Sequence, residues 1–468
     1  MSLRTFSIQT LGCKVNQYES EQIAVVLRGR GLVQARAAEA DLRIVNSCSV
    51  TTEAAAKSRQ ISRRMVSLPV LGMNNQSQEI SNNGGNSRVI VMGCWATSNP
   101  DDAANLPGVD AILTHHDDVA TRLHQILDEW LGDSSVNQAG NCTYGDIGPG
   151  TTRLPLLDQH QHSQQRAFIK IQDGCDAHCT YCIIPRLRPN LWSKPVDDVV
   201  EEATRLVACG HKEIILSGIF LSAYGRQTAL RRRQTNSDLP LGDLITAICT
   251  RVPGLLRLRL SSLEPGDLTD ELIAVMRRYP QIVPHFHLPL QSGSDRLLRR
   301  MNRQYGQGDF LQMVDRVNQA FDRPALTTDI IVGFPGETDD DFDQTLRVVD
   351  RAKFIHVHAF PFSPRPGTAA ARWTDDFVPP PIARQRLSIL TQSADFHGFS
   401  YRRQFLGQMV ELLVEQPRDD VSQRHGRCER YFEVHFDSPN VHPGQAVKVR
   451  IENVTTDRTE GRIVHVLD

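Results

Sequence analysis

Three cysteines stand close together in the segment GCDAHCTYCIIP, which begins at Gly174. Cys175, Cys179 and Cys182 are separated by gaps of three residues and then two. Thiolates bind soft metals, and a structural zinc site normally uses four Cys or His ligands in paired short spacings. His178 lies inside the run, but its position makes ligation together with its neighbours awkward. The spacing therefore favours a metal cluster that leaves one metal without a protein ligand, and a zinc site is the alternative.

A four-iron, four-sulfur cluster held by three thiolates has one such open iron. The amino and carboxylate groups of S-adenosylmethionine can chelate that iron, and an electron from the cluster then splits the sulfonium bond to give a carbon radical. The radical removes hydrogen from carbon atoms that acid–base chemistry cannot activate. Tyr181 precedes the last cysteine and offers a ring against which an adenine can stack.

Three further cysteines stand at equivalent places in a repeated pattern near the start of the chain. Cys13, Cys48 and Cys94 each follow a short strand pattern and precede a helical one. Strand–helix–strand units give parallel strands, and their carboxyl ends meet at one edge of the sheet. The three thiols are therefore expected to converge, and the helix N-termini behind them are expected to lower their pKa. This trio predicts a second metal site.

Strand and helix patterns alternate six times between residue 166 and about residue 400, which predicts a partial or full parallel barrel. Loops after the strands of such a barrel all face one end, where active sites form. Polar residues at these strand ends are candidates for binding a cofactor or substrate, and ordinary polar packing is the alternative for each. They are Ser217, Gly218, Glu264, Gln291 and Asp329.

The tail from residue 401 changes to short alternating strands, which predicts a small all-β module of the OB type. The expected fold is thus α/β and multidomain. The predicted domains are an amino-terminal Rossmann-like α/β domain over 1–132, a linker over 133–165, a barrel over 166–400 and the β module over 401–468. A polar segment near residues 72–87, rich in Asn, Ser and Gly, reads as a surface insertion.

The 468-residue chain has a formal net charge of −2, which gives no global indication of a nucleic-acid partner. Two local basic runs, 57–64 and 296–303, could bind phosphates or could be solvated helix faces. No apolar run is long enough to cross a bilayer, and the start lacks a signal-peptide pattern, which predicts a cytoplasmic protein. Ten cysteines are then expected to be reduced, so metal binding is favoured over disulfides.

The Cys175–Cys182 spacing, with an aromatic residue before the last cysteine, resembles the signature of the radical S-adenosylmethionine superfamily. Nearly the whole chain resembles the methylthiotransferases of that superfamily, and its tail resembles their TRAM module. The segments that carry this resemblance are LGCKVNQYES, VNSCSVTTEAAAKSRQ, MGCWA, GCDAHCTYCIIP, RLSSLEP, HLPLQSGSDRLLRRMNR and DIIVGFPGET. The forms GCKVNQYE and NSCSVT are most similar to the bacterial branch that acts on threonylcarbamoyladenosine at tRNA position 37.

This resemblance implies two [4Fe-4S] clusters, one on each cysteine trio, and S-adenosylmethionine as co-substrate. One co-substrate molecule would methylate a sulfur held at the first-domain cluster, and a second would make the radical that places a methylthio group on carbon 2 of the adenine. The implied partners are the tRNA anticodon loop at adenosine 37, a sulfur donor and an electron donor such as flavodoxin or ferredoxin. The resemblance also places Ser217 and Gly218 at the methionine amino group.

Two other functions stay open at this point. The first is methylthiolation of another adenosine or of a protein residue, and the second is an iron–sulfur redox sensor that binds nucleic acid. The segment RLRPNLWSKP also departs from the family pattern. Arg188 and Ser193 match it, but Pro189 replaces a glycine and Trp192 an arginine, which puts the contacts of this loop in doubt.

Overall fold

A computed structural model describes residues 3–69, 87–131, 154–157, 166–231, 239–417, 423–438 and 440–467. Contacts divide the chain into two compact units. The first comprises 1–157, 182–192 and 364–366, and the second comprises 158–181, 193–363 and 367–468. Among the described residues, no helix is both long and apolar enough to cross a bilayer.

The first unit contains a parallel five-stranded sheet with the order β2-β1-β3-β4-β5. Its elements are β1 (Thr5–Thr10), α1 (Lys14–Gly29), β2 (Val33–Gln34), β3 (Leu42–Ser47), α2 (Thr52–Ser67), β4 (Arg88–Gly93), α3 (Cys94–Ser98), α4 (Pro100–Ala104), β5 (Ala111–Leu113), α5 (Val119–Leu131) and, from the later segment, α6 (Ile184–Leu187).

The three predicted strand–helix repeats are confirmed as β1–α1, β3–α2 and β4–α3. Every residue of β3 is buried, as expected for the central strand of a parallel sheet that is covered on both faces. The α2 helix begins where the Thr51 hydroxyl accepts a hydrogen bond of 3.0 Å from the Ala54 amide. The edge strands β2 and β5 are only two and three residues long and gave no sequence signal.

The second unit contains six parallel strands that alternate with helices, and one additional two-residue strand, β7. Its elements up to the long helix are β6 (Arg166–Asp173), β7 (Trp192–Ser193), α7 (Val196–Ala208), β8 (Glu213–Gly218), α8 (Pro240–Arg251), β9 (Arg257–Leu260), α9 (Asp270–Arg278), β10 (His285–His287), α10 (Asp295–Arg300), α11 (Gln307–Ala320), β11 (Ala325–Val332), α12 (Asp339–Ala352), β12 (His356–Pro361) and α13 (Pro380–Arg403).

These strands form two sheets, β7-β6-β8-β9 and β10-β11-β12. A parallel bridge between Ser262 and His287 joins the end of β9 to β10. The six predicted barrel strands are thereby confirmed as β6, β8, β9, β10, β11 and β12. Their spatial order is the same as their order in the sequence. Their carboxyl ends carry the loops that hold the candidate residues.

The remaining strands close into a small barrel with the order β13-β14-β15-β17-β16, in which β15 and β17 pair in parallel and the other neighbours are antiparallel. They are β13 (Met409–Val414), β14 (Gln423–Cys428), β15 (Glu433–Asp437), β16 (Ala446–Val454) and β17 (Thr459–Leu467). The predicted all-β module is confirmed, although β14, with the polar sequence QRHGRC, was not recognised.

Buried charges join this barrel to the sheet of β8 and β9. Arg257 donates to the Glu411 backbone and carboxylate at 2.7 and 3.0 Å. Arg259 donates to Glu213 at 2.7 Å and lies over the Tyr431 ring. The side chains of Arg257, Arg259 and Glu213 are at most 3% exposed. The small C-terminal barrel thus covers charged side chains of the sheet that contains β8 and β9.

Two predictions fall outside the described residues. They are the surface insertion, except for its last residue, and the linker over 133–165, except for 154–157. The predicted domain boundaries stay predictions.

Candidate active site

The loop after β6 carries the first two cysteines of the GCDAHCTYC segment. The backbone turns sharply at Gly174 and at His178, which both have positive φ angles, 78° and 52°. Cys175 is buried, and its sulfur accepts a hydrogen bond of 3.4 Å from the Ala177 amide. Asp176 anchors the loop by accepting bonds from Thr228 and Ala229 at 2.6 and 2.7 Å. Such a fold-back holds sulfur atoms in place before any metal arrives.

A buried arginine contacts the second cysteine of this loop. Arg303 donates to the Cys179 sulfur at 3.2 Å and to both carboxylate oxygens of Glu264 at 2.5 and 2.6 Å. Its side chain is only 7% exposed. Burial is the largest influence and opposes the charged form, but Glu264, Tyr181, Tyr305 and Cys179 together outweigh it, and the pKa of Arg303 rises well above its usual range. Arg303 therefore stays cationic beside the cysteine.

Tyr181 lies at the edge of an apolar cluster and meets Phe334 edge-on, with ring centroids 6.4 Å apart. Backbone bonds fix the residue before it, because Thr180 donates to the Met301 carbonyl at 3.1 Å and accepts from the Ala370 amide at 2.8 Å. Cys182 follows directly and is half-buried, two residues before α6.

Two buried oxygens at strand ends have no hydrogen-bond partner among the described residues. They are Gln291 Oε1, after β10, and Ser261 Oγ, after β9. The backbone of Gln291 is left-handed, with φ 64°, which is uncommon for a residue with a side chain. A buried polar group without a partner costs stability, so both atoms are candidates to accept a hydrogen bond from a ligand.

The remaining predicted contacts also lie at this end of the strands. Ser217 and Gly218 end β8, and a side chain at Gly218 would come within 3.1 Å of Gln172. Asp329 lies on β11, where its carboxylate is 3.2 Å from His287 Nε2. Glu264 follows β9 and is held by Arg303.

The first unit brings its three cysteines to one sheet edge. Cys13 precedes α1, Cys48 follows β3, and Cys94 begins α3 directly after β4. A Cβ atom at Gly12, where φ is 96°, would lie 2.9 Å from the Cys48 sulfur. Glycine at this position therefore allows the close approach of the Cys13 turn to Cys48, and the predicted convergence is found.

The expected lowering of the thiol pKa by helix N-termini is wrong for the two buried cysteines. Burial, with smaller contributions from the neighbouring Cys13 and Cys48, raises the pKa of Cys94 to about 12 although Arg188 opposes the shift. Burial also raises the pKa of Cys48, again with a contribution from Cys13. Desolvation and mutual repulsion of the sulfurs outweigh the helix ends, so these thiols need a bound cation to become thiolates.

An ion pair lies beside this trio within the same unit. Arg188 donates to both carboxylate oxygens of Glu19 at 2.7 and 2.9 Å, and the two side chains are 3% and 5% exposed. Arg188 also lies 2.9 Å from His115 Nε2, which in turn is 3.7 Å from the Cys94 sulfur. The arginine of the altered segment is therefore a buried structural partner of the first unit.

The first basic run remains an exposed face of α2, with Lys57, Arg59, Arg63 and Arg64 at the surface. Three arginines of the second run form ion pairs, although Arg296 and Arg299 are exposed, and its role as a phosphate patch stays a prediction. Arg296 pairs with Asp341, Arg300 with Asp376, and Arg303 with Glu264.

The chain is similar to two family models and to characterised enzymes over most of its length. Residues 169–349 match the radical SAM superfamily, and residues 5–114 match the uncharacterized protein family UPF0004. The threonylcarbamoyladenosine tRNA methylthiotransferase MtaB of Thermotoga maritima is 37% identical over 88% of this chain and 87% of its own length. The Bacillus subtilis enzyme of the same name is 32% identical over 100% and 98%. A tRNA-2-methylthio-N(6)-dimethylallyladenosine synthase of Acidothermus cellulolyticus is 34% identical over 96% and 86%.

The chain belongs to the radical SAM methylthiotransferase family. It is thus an enzyme of the sulfur-group transferase type, and the family implies S-adenosylmethionine and a [4Fe-4S] cluster. Among solved structures, the radical S-adenosylmethionine methyltransferase TsrM from Kitasatospora setae has a TM-score of 0.55 at 12% identity, over 79% of this chain and 74% of its own. That likeness supports the fold.

The residues of the second unit fit the cofactor and co-substrate of this methylthiotransferase. Cys175 and Cys179 of this unit offer thiolate ligands, and the buried side-chain oxygens of Ser261 and Gln291 lack a partner among the described residues. Sequence reasoning missed Arg303 as a contact of Cys179, because a residue 124 positions away meets the loop only in the folded chain. It also missed Ser261, although this residue directly follows the strand pattern RLRL, three residues before Glu264.

Proposed function

We propose that this enzyme adds a methylthio group to carbon 2 of N6-threonylcarbamoyladenosine at position 37 of tRNA. Three relatives bear the name of that activity, at 37%, 32% and 32% identity. The B. subtilis relative matches the full length of this chain. The family membership is the observation that carries the proposal.

Cys175, Cys179 and Cys182 are proposed to hold the radical-generating cluster. With S-adenosylmethionine bound, that cluster supplies the radical chemistry that activates an unreactive C–H position. Arg303 keeps Cys179 in place and stays charged through its bond to Glu264. The unpartnered oxygens of Gln291 and Ser261 are proposed to accept hydrogen bonds from the co-substrate, since they are buried at the strand ends.

Cys13, Cys48 and Cys94 are proposed to hold a second [4Fe-4S] cluster. The support is chemical: three thiols that converge, two of them buried with a raised pKa, form a donor set that a cation stabilises. Gly12 allows the close approach at this site.

The exposed basic face of α2, which follows Cys48, is proposed to contact tRNA phosphates near the anticodon loop. An electron donor such as flavodoxin or ferredoxin, a sulfur donor and a cytoplasmic location are further parts of this proposal.

Iron counting and product analysis test the two cluster assignments. The anaerobically reconstituted chain is expected to hold about eight irons. Cys179→Ala should hold about four and form no 5′-deoxyadenosine. Cys48→Ala should also hold about four but still cleave S-adenosylmethionine, without inserting sulfur. Equal loss of cleavage in both variants would contradict separate roles for the two trios.

Mass spectrometry of tRNA nucleosides tests the substrate. A strain that lacks the gene should lose 2-methylthio-N6-threonylcarbamoyladenosine and keep the unmodified threonylcarbamoyl nucleoside. Relatives that act on dimethylallyladenosine reach 34% identity, which makes that nucleoside the second candidate. Loss of the methylthio-dimethylallyl nucleoside alone would transfer the assignment to it.

A further inference from the structure

Two histidines and an aspartate share one face of the sheet formed by β10, β11 and β12. In the parallel register, His287 pairs with Thr327, and Asp329 pairs with His358. Because side chains alternate across a strand, Thr327 and Asp329 point to the same side of β11. Paired residues of neighbouring strands also share a face, so all four side chains stand together.

Their nitrogen and oxygen atoms are arranged as metal ligands are. His287 Nε2 lies 3.2 Å from Asp329 Oδ2, and one ligand atom from each of His287, Asp329 and His358 lies within 4.8 Å of the others. Two ligands that each lie about 2.1 Å from one ion are separated by about 3.0–3.4 Å in octahedral or tetrahedral geometry. The observed spacing of the first pair falls in this interval.

The second ring nitrogen of His287 is held as well. His287 Nδ1 lies 3.0 Å from Thr327 Oγ1, which orients the ring so that Nε2 faces the aspartate. Metal-binding histidines commonly have such a hydrogen bond on the nitrogen that does not touch the metal. The Asp329 carboxylate, moreover, would repel an anionic ligand, so this group of side chains favours a cation.

The site stands near the cysteine loop. Ile331 follows Asp329 by two residues, on the same face, and belongs to the apolar cluster against which Tyr181 packs. Two residues along a strand span about 6.6 Å. The histidines and the aspartate therefore lie about one layer of side chains deeper than the cluster that contains Tyr181.

We propose that His287, Asp329 and His358 bind a divalent transition-metal ion separate from the iron–sulfur clusters. Two histidines and one carboxylate leave coordination positions open, a ligand set that suits Fe²⁺, Zn²⁺ or Mn²⁺. His358 is exposed, so those positions are accessible. The inference does not depend on which nucleoside the enzyme modifies.

Equilibrium dialysis of the anaerobic, iron-loaded chain against Zn²⁺, followed by elemental analysis, tests this site. His358→Ala is expected to bind about one zinc fewer per chain, with the iron content and the affinity for S-adenosylmethionine unchanged. His356→Ala is the matched control, because His356 lies on the same strand and face, with its ring 4.4 Å from that of His358, but outside the trio. Thr327→Val should weaken zinc binding about 10–100-fold while keeping all three ligands.

Three results would overturn the proposal. Unchanged zinc content in His358→Ala would do so, as would equal loss in the His356 control. The third is a loss of zinc that occurs only in a His425→Gln variant, because Glu415, His425 and Glu433 form a comparable group in the C-terminal barrel. A fall in iron content in His358→Ala would show that the substitution disturbs the cysteine clusters, and it would likewise contradict a separate site.

Discussion

Replacing Arg303 by methionine is expected to destabilise the second unit by about 3–5 kcal/mol, the usual cost of removing one partner of a buried ion pair. The side chains of Arg303 and Glu264 are 7% and 12% exposed, so the substitution leaves a carboxylate with little access to water. It also removes the hydrogen bond to the Cys179 sulfur. Methionine approximates the length of the lost side chain, which limits the effect of an added cavity.

The measurement is urea unfolding of the cluster-free chain, followed by pulsed hydrogen exchange of peptides from the second unit. This readout separates the transition of that unit from the rest of a multidomain chain. Arg299→Met is the control, since Arg299 is exposed on α10, the short helix that precedes Arg303, and its cost should stay within about 0.5 kcal/mol. An Arg303→Met, Glu264→Met double variant should lose less than the sum of its single changes, because it buries no unpaired charge.

A cost for Arg303→Met equal to that of Arg299→Met would refute the reasoning, as would strict additivity in the double variant. Either result would mean that Glu264 finds water or another partner when the guanidinium is absent.

Two further predictions concern a carboxyl group and a glycine. Burial raises the pKa of Asp267 to about 6, above its usual value near 3.8, so its ionisation opposes folding as the pH rises from about 4 through 6. Asp267→Asn should therefore raise the urea midpoint of the cluster-free chain by more at pH 7.5 than at pH 4.5. An equal change at both pH values would contradict the raised pKa. Gly12→Ala should lower the iron content of the reconstituted chain from about eight to about four while 5′-deoxyadenosine formation continues. The reason is that the added carbon would lie 2.9 Å from the Cys48 sulfur at a left-handed backbone position. Retention of all the iron would argue against the proposed cluster on Cys13, Cys48 and Cys94.

The strands that could be predicted from sequence are those whose apolar pattern is strong. Nearly every residue of β3 and β11 is buried. Their apolar patterns predicted the two strands and also the candidate residues beside them, Cys48 after β3 and Asp329 on β11. β14 has the sequence QRHGRC and is held by its neighbours in the closed barrel, so its own residues carry no strand pattern.

The candidate site divides in the same way. The cysteines were found because their spacing is local, or because parallel strands bring equivalent turns together. Arg303 and the pair of His287 with Asp329 depend on contacts between different strands and loops, which no single stretch of sequence displays. The thiol pKa was misjudged because burial, which depends on the whole unit, exceeds the local effect of a helix end.

The arginines beneath the C-terminal barrel bear on how this module can be studied. Deleting residues 401–468 would remove Glu411 and the Tyr431 ring and would leave Arg257 and Arg259 with only Glu213 between them. A truncated chain would thus lose the Glu411 carboxylate and the Tyr431 ring that pack on these arginines, as well as any RNA-binding surface. Loss of tRNA modification in that chain would therefore not identify the RNA-binding surface as the cause. Charge changes on β17, such as Arg462→Glu at a side chain that is 71% exposed, examine RNA contact without opening that buried interface.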